Sequence, residues 1–125
     1  KEVAPGILSR KFNVIYNMLD KERLLPNENF TYRKNGKLNL LVASSHRYLK
    51  NLNGLIEGVH LMDSQYRDNL RISWFGNSRF DTSLEDGLQK IQSYGLQDIF
   101  SFHKETLNIY DYMREADAVG LFSFF

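Results

Sequence analysis

The chain has 125 residues, 42% of them hydrophobic, and a formal net charge of +1 from 16 Lys and Arg against 15 Asp and Glu. One core of roughly 100–200 residues is the size this length implies, and the ordinary apolar fraction excludes wholesale disorder and collagen-like repeats. The balanced charge excludes a protein that coats nucleic acid, and the lack of cysteine excludes disulfide scaffolds, Cys-ligated zinc, iron–sulfur clusters and thiol nucleophiles.

The N-terminal Lys1-Glu2-Val3-Ala4-Pro5-Gly6 is followed by no apolar signal core. No apolar run nears the ~20 residues of a membrane span. Together with the missing cysteines, this leads us to expect a cytoplasmic protein. The chain starts without Met and stops on Leu121-Phe122-Ser123-Phe124-Phe125, where a polar terminus is the norm. A piece of a longer protein is therefore expected.

In chain order, Phe12-Asn13-Val14-Ile15-Tyr16 is a strand-like run. The polar stretch after it contains Pro26 and ends in the turn signal Asn35-Gly36. Residues 1–37 thus read as an interdomain connector with an extension, and 38–125 as a partial domain. Leu38 to Ser44 reads as a buried strand. Leu52, Leu55, Ile56, Val59 and Met62 then repeat at the spacing of one helical face. Gly54 and Gly58 on that helix suggest close packing against a sheet. Leu70 to Phe75 is a second strand, stopped by Gly76-Asn77-Ser78.

Ser83 with Glu85 and Asp86 starts a helix whose apolar side is Leu88, Ile91 and Tyr94, and Gly95 is its C-terminal cap. Ile99 to Phe102 is a third strand, Glu105 to Glu115 a third helix, and Ala118 to Phe122 a fourth strand. This alternation predicts an α/β, Rossmann-like parallel sheet with flanking helices, incomplete, with both sheet faces covered. Trp74 and most other aromatic residues are assigned to its core.

Several familiar sites are absent. No strand is followed by Gly-x-Gly-x-x-Gly, no loop ends in Gly-Lys-Ser/Thr, and no serine sits in Gly-x-Ser-x-Gly. His46, His60 and His103 are too dispersed to suggest a metal cluster, and no carboxylate pair offers itself as acid and base. Glu57 and Glu85 read as solvated, and Asp117 as a structural cap. What remains is the loop after the first core strand. Ligands of open α/β sheets lie beyond the carboxyl ends of the strands, near the point where strand order switches. There a helix N-terminus, Arg47, Lys50 and the hydroxyls of Ser44 and Ser45 suit a phosphate or diphosphate. The same charges also suit a solvated loop, so both readings stand at this point. His103-Lys104-Glu105 and Gly76 fall on the same rim, where they either contact a nucleotide base or form plain surface turns.

Read in order, these segments resemble a family. Val14-Ile15-Tyr16-Asn17-Met18-Leu19-Asp20 is similar to a connector of the form V-I-x-N-G-hydrophobic-D. Leu40 to Ser44 followed by Lys50-Asn51-Leu52-Asn53-Gly54-Leu55-Ile56-Glu57-Gly58 is similar to a strand, loop and K-N-x-x-x-L-I-x-A segment. Leu70 to Gly76 resembles a strand ending in glycine, and Tyr94-Gly95-Leu96-Gln97-Asp98-Ile99-Phe100-Ser101-Phe102 resembles G-L-x-D-x-V-x-F. Tyr110 through Ala116-Asp117-Ala118 to Ser123 resembles hydrophobic-Y-x-x-A-D-hydrophobic…S. Together they resemble the nucleotide-sugar-binding domain of the retaining GT-B glycosyltransferases, of the family 4 or "glycosyl transferases group 1" type.

The resemblance implies transfer of a sugar from a nucleoside-diphosphate donor with retention at the anomeric carbon, without a required metal or other cofactor. It implies that Lys50 supports the donor diphosphate. The acceptor, a saccharide or a lipid-linked one, would be held by a domain this chain lacks, and the isolated piece would be inactive. Bacterial members commonly build surface polysaccharides at the inner face of the membrane, so peripheral attachment there is implied as well. The chain departs from the pattern in three places. Ser44 and Ser45 stand where Gly-Arg is common, leaving Arg47 to supply a guanidinium. His103 stands in place of a glycine. The E-G-F…E segment that holds the donor sugar and ribose would begin after Phe125, so no catalytic residue is assigned. The strand order of the family puts the fourth strand beside the first, with a bare apolar edge suited to self-association. Three alternatives remain: a non-catalytic nucleotide- or phospho-ligand-binding module, a degenerate domain of this type used only for contacts, and a nucleotide-sugar epimerase of the same fold.

Overall fold

A computed structural model describes residues 14, 16 and 20–124. The strand expected at Phe12–Tyr16 falls largely outside them; Val14 and Tyr16 are exposed and belong to no strand. After a single 3-10 turn at Lys34–Gly36 come β1 (Leu38–Ala43), a second such turn at Tyr48–Lys50, α1 (Leu52–Leu61) and the short α2 (Ser64–Arg67). Then follow β2 (Leu70–Phe75), α3 (Ser83–Tyr94), β3 (Phe100–His103), α4 (Ile109–Glu115) and β4 (Ala118–Gly120). The sheet has the order β3-β2-β1-β4 and every pairing is parallel. Parallel neighbours cannot be joined by tight hairpins, so each connection carries a helix.

Register follows the apolar pattern. Leu40 pairs with Ile72 and Ala118, and Ile72 pairs with Phe100. Side chains alternate across a strand, so Leu40, Val42, Ile72, Trp74 and Phe100 share one face. That face packs with Leu52, Ile56 and Val59 of α1 and Ile91 of α3 into the core. Trp74, Leu52, Ile56, Ile72, Leu96 and Val42 are fully enclosed, and burial of one such aliphatic side chain stabilises by about 1.5–3 kcal/mol. Gly95 closes α3 with φ of 69°, a left-handed conformation that suits glycine, and its amide bonds back to Gln92 and Ile91.

The opposite face corrects the expectation of two covered sides. It carries Asn39, Leu41, Ser73, Phe75, Ser101 and His103. Tyr112 of α4 packs on Phe75 with ring centroids 4.7 Å apart, and a cavity of about 690 Å³ separates residues 27–35 from the sheet. Helix α4 begins four residues later than the expected Glu105 and is only 7 residues long; Leu41 and Phe75 are buried on this face, whereas Ser101 and His103 stay exposed. β3 ends at His103 rather than Phe102, and β4 is shorter than the run to Phe122. Its place beside β1 agrees with the order implied by the resemblance.

A Cβ on Gly54 would meet the Asn51 side chain, and one on Gly58 would meet nothing, so neither marks helix-on-sheet packing. Glu57 is not simply solvated: it accepts from Lys90 Nζ at 2.7 Å and from Tyr94 Oη at 3.0 Å. Those bonds hold its carboxyl below the usual range, led by the one from Lys90. Asp117 is a structural clip, as expected. Its Oδ1 accepts from the Arg33 amide and its Oδ2 from the Asn39 amide, each at 2.7 Å, tying the entry of β1 to that of β4.

Candidate functional site

Because all strands run the same way, the loops after β1, β2 and β3 leave the sheet on one rim. Backbone bonds stitch them together. The Ser44 amide donates to Phe75 O at 3.0 Å, the His46 amide to Asn77 O at 2.7 Å, and the Gly76 amide to His103 O at 2.9 Å. Trp74 Nε1 donates to Ser44 O at 2.8 Å. The approach is so close that a Cβ on Gly76 would overlap the Ser44 carbonyl, lying 2.7 Å from its carbon. Glycine at 76 is therefore required by backbone crowding between two loops.

Of the residues expected at the nucleotide side, Gly76, His103 and Lys104 do converge. They line one cavity of about 450 Å³ with His46, Phe102 and Glu105. The ring of His103 stacks on Phe75 at 4.5 Å, and Arg79 bridges to Glu105 at 2.7 Å beside the opening. None of Ser44, Ser45, Arg47 and Lys50 lines this cavity. They sit on the neighbouring stretch between β1 and α1. Ser44 Oγ is buried without a partner, and Ser45 O accepts from the Arg47 amide. The Arg47 guanidinium lies 4.9 Å from the ring centre of Phe80, a cation–π geometry. Lys50 closes the 3-10 turn, its amide bonded to Arg47 O at 2.9 Å. Neither Arg47 nor Lys50 takes part in an ion pair among the described residues.

Asn51, at φ 59°, bends the chain from this turn into α1, and no side chain caps the helix. Its first-turn amides are of the kind that take an anion. The stretch after β4 passes over the same loop: the Phe124 amide donates to Leu49 O at 3.2 Å, and its ring packs on Tyr48 at 5.2 Å. The β1–α1 loop thus lies between β1 and β4, where the strand order β3-β2-β1-β4 reverses direction. This is the crevice in which open α/β sheets place their ligands.

Two residues of the site escape sequence reasoning. Asp81 accepts from the Tyr48 amide and from the Ser83 amide, each at 2.9 Å, tying the start of α3 to the β1–α1 loop. Those bonds, the ones from Ser83 and Tyr48 first, keep its carboxyl below the usual range, with Arg47 adding to them. An acidic residue just before a helix start is a readable capping signal. His46 is 2% exposed, and neither ring nitrogen has a geometrically good hydrogen-bond partner among the described residues. No local signal predicts that burial.

Among the described residues no group of three or more His, Asp and Glu is placed to hold a metal ion, and no helix is long and apolar enough to cross a membrane. The four-stranded parallel sheet with helical crossovers is a Rossmann-like α/β fold. It is similar to Anabaena Alr3699/HepE, solved in complex with UDP and glucose, at a TM-score of 0.73 and 17% identity. That match covers 89% of this chain and 31% of the other. HepE in complex with UDP alone gives a TM-score of 0.70 and 18% identity over 89% of this chain and 32% of that one. The chain therefore spans less than a third of the length of these neighbours, and the likeness is one of fold. No protein-family model matches the chain, and no curated protein does.

Proposed function

We propose that the chain is the nucleotide-sugar-binding part of a retaining GT-B glycosyltransferase of the family 4 type. It would hold a nucleoside-diphosphate sugar for transfer to a saccharide or lipid-linked acceptor bound by a domain outside this chain. The observation that carries the reading is Lys50, which closes the turn into an uncapped α1 at the point where strand order switches. The fold shared with a protein solved with UDP and glucose supports it.

In this reading the diphosphate lies against the first amides of α1. Lys50 and Arg47 neutralise it, and Ser44 and Ser45 lend hydroxyls. Lys50 also stabilises the charge that grows on the leaving group, an interaction strongest in the transition state. The base lies toward the cavity of Gly76, His103 and Lys104. The helix amides and the two cations supply the positive charge, so the reading needs no metal. This chain contributes donor binding, and on its own it is inactive.

Calorimetry with UDP, UMP and UDP-glucose tests the assignment. UDP binds more tightly than UMP, because the second phosphate meets Lys50. Lys50→Met weakens UDP by roughly ten- to a hundredfold, the worth of a hydrogen bond to a charged group. Equal affinity for UDP and UMP, or a Lys50→Met variant that binds like wild type, refutes it.

A further inference from the structure

The ring of His46 sits in an aromatic slot, edge-on to Phe102 at 5.5 Å and tilted against Trp74 at 6.1 Å. A neutral imidazole offers one donor and one acceptor, whereas an imidazolium offers two donors and a full charge. Enclosing an unpaired charge costs far more than enclosing a neutral polar ring. The slot therefore favours the neutral form. Burial pushes the ring below its ordinary 6.5, with the Trp74 backbone and the charge of Glu105 pulling the other way.

The charged surroundings leave an imidazolium one exit. The loop after β2 presents Arg79, β3 and its loop present His103, Lys104 and Glu105, α3 presents the apolar Leu84, and His46's own loop carries Arg47. Among the described residues Glu105 is the only carboxylate lining the cavity, and Arg79 already engages it at 2.7 Å. A protonated ring gains an acceptor by swinging out of the slot into the cavity. Its amide bond to Asn77 and the neighbouring Ser44–Trp74 bond anchor the loop. Arg47 follows His46 directly, and Lys50 closes the next turn.

We infer that His46 is a positioning residue for the β1–α1 loop: taking up a proton releases the loop and weakens diphosphate binding at Arg47 and Lys50. The inference rests on the reading of that loop as the diphosphate site. Simple charge predicts the opposite, since a chain gaining protons attracts an anion more strongly. The sign of the pH dependence is thus decisive.

Two readouts taken between about pH 8 and pH 5, across the ordinary histidine range, test it. One is the emission of Trp74, the single tryptophan of the chain, whose indole N–H holds Ser44. The other is affinity for UDP-glucose, whose diphosphate keeps the same charge state throughout. In the wild type the emission titrates, and affinity falls by up to about tenfold per pH unit below that titration, the limit for one linked proton. In His46→Leu and His46→Phe the emission stays flat and the affinity no longer falls with pH. Emission that does not change with pH in the wild type overturns the inference. So does a titration that survives in both variants, or an affinity that holds or rises while Trp74 titrates. If neither variant folds, NMR of the His46 ring protons in the wild type decides, and a titration at or above the ordinary value overturns it. UDP-glucose binding at no pH overturns the functional reading and the binding half of this inference. Trp74 then separates that failure from a loop that never moves.

Discussion

Replacing Gly76 by alanine tests the close approach that joins the loops after β1 and β2. The new methyl would overlap the Ser44 carbonyl oxygen, and its next neighbours are the Ser44 carbon at 2.7 Å and Ser45 Cα at 3.1 Å. These are backbone atoms, so no rotamer change relieves the clash; the loop itself must move. Overpacking of this kind costs about 1–3 kcal/mol. The movement also strains the Trp74–Ser44, His46–Asn77 and Gly76–His103 bonds, each worth about 1 kcal/mol. A loss of about 2–4 kcal/mol follows if one of the three bonds breaks outright. With a urea slope of about 2 kcal/mol per molar, the midpoint falls by roughly 1–2 M. Gly58→Ala is the paired control. It lies in α1, exposed, with nothing near its absent Cβ, and should stabilise by about 0.5–1 kcal/mol through helix propensity. Equilibrium urea unfolding of both variants reads the two signs. A Gly76→Ala midpoint within experimental error of wild type refutes the crowding argument.

Further outcomes follow from the same contacts. Asp117→Ala leaves the Arg33 and Asn39 amides unpaired and should cost about 1–3 kcal/mol at neutral pH. In Asp117, burial opposes ionisation, and the bonds from Asn39 and Arg33 outweigh it, so its pKa lies below the ordinary 3.8. A depressed carboxylate stabilises above its unfolded value and loses that contribution as pH falls through the folded one. The gap between wild type and Asp117→Ala should therefore narrow in acid unfolding curves, and a constant gap contradicts the clip. Gly87→Val pushes a branched side chain at Leu52 and Ile56 of α1, whose terminal carbons lie 3.0 and 3.1 Å from the glycine's absent Cβ. It should cost about 1–3 kcal/mol by thermal unfolding, and a neutral result shows that α1 and α3 separate easily. The outer edge of β4 has no strand beyond it among the described residues, and Val119 and Leu121 are 53% and 71% exposed. Sedimentation velocity should show self-association growing with concentration, and a constant monomer value removes that edge as a contact surface.

Local pattern carried much of this architecture. The run Leu70–Phe75 became β2 with unchanged ends, and the spacing of Leu52, Ile56 and Val59 became the buried stripe of α1. Gly95 stopped α3 where its conformational freedom said it would. Each of these signals depends on neighbours within one or two turns, and so can be read from residue order. Strand pairing, the half-open face bearing Ser73 and Ser101, and the partners of Glu57 involve residues far apart in the chain. They emerged only once the sheet was assembled.

The candidate site divides the same way. That the loop bearing Arg47 and Lys50 and the turns bearing Gly76, His103 and Lys104 share one rim was legible, because a loop following a parallel strand always opens on one edge of the sheet. Their partition was not: Gly76, His103 and Lys104 share a cavity, while the cations lie beside it. Nor was His46, whose polar ring would pass for a solvated loop residue. Its burial is set by Trp74 and Phe102, which arrive from two other strands. Residue order encodes the period of an element, whereas the environment of a single side chain is fixed by what distant segments bring against it.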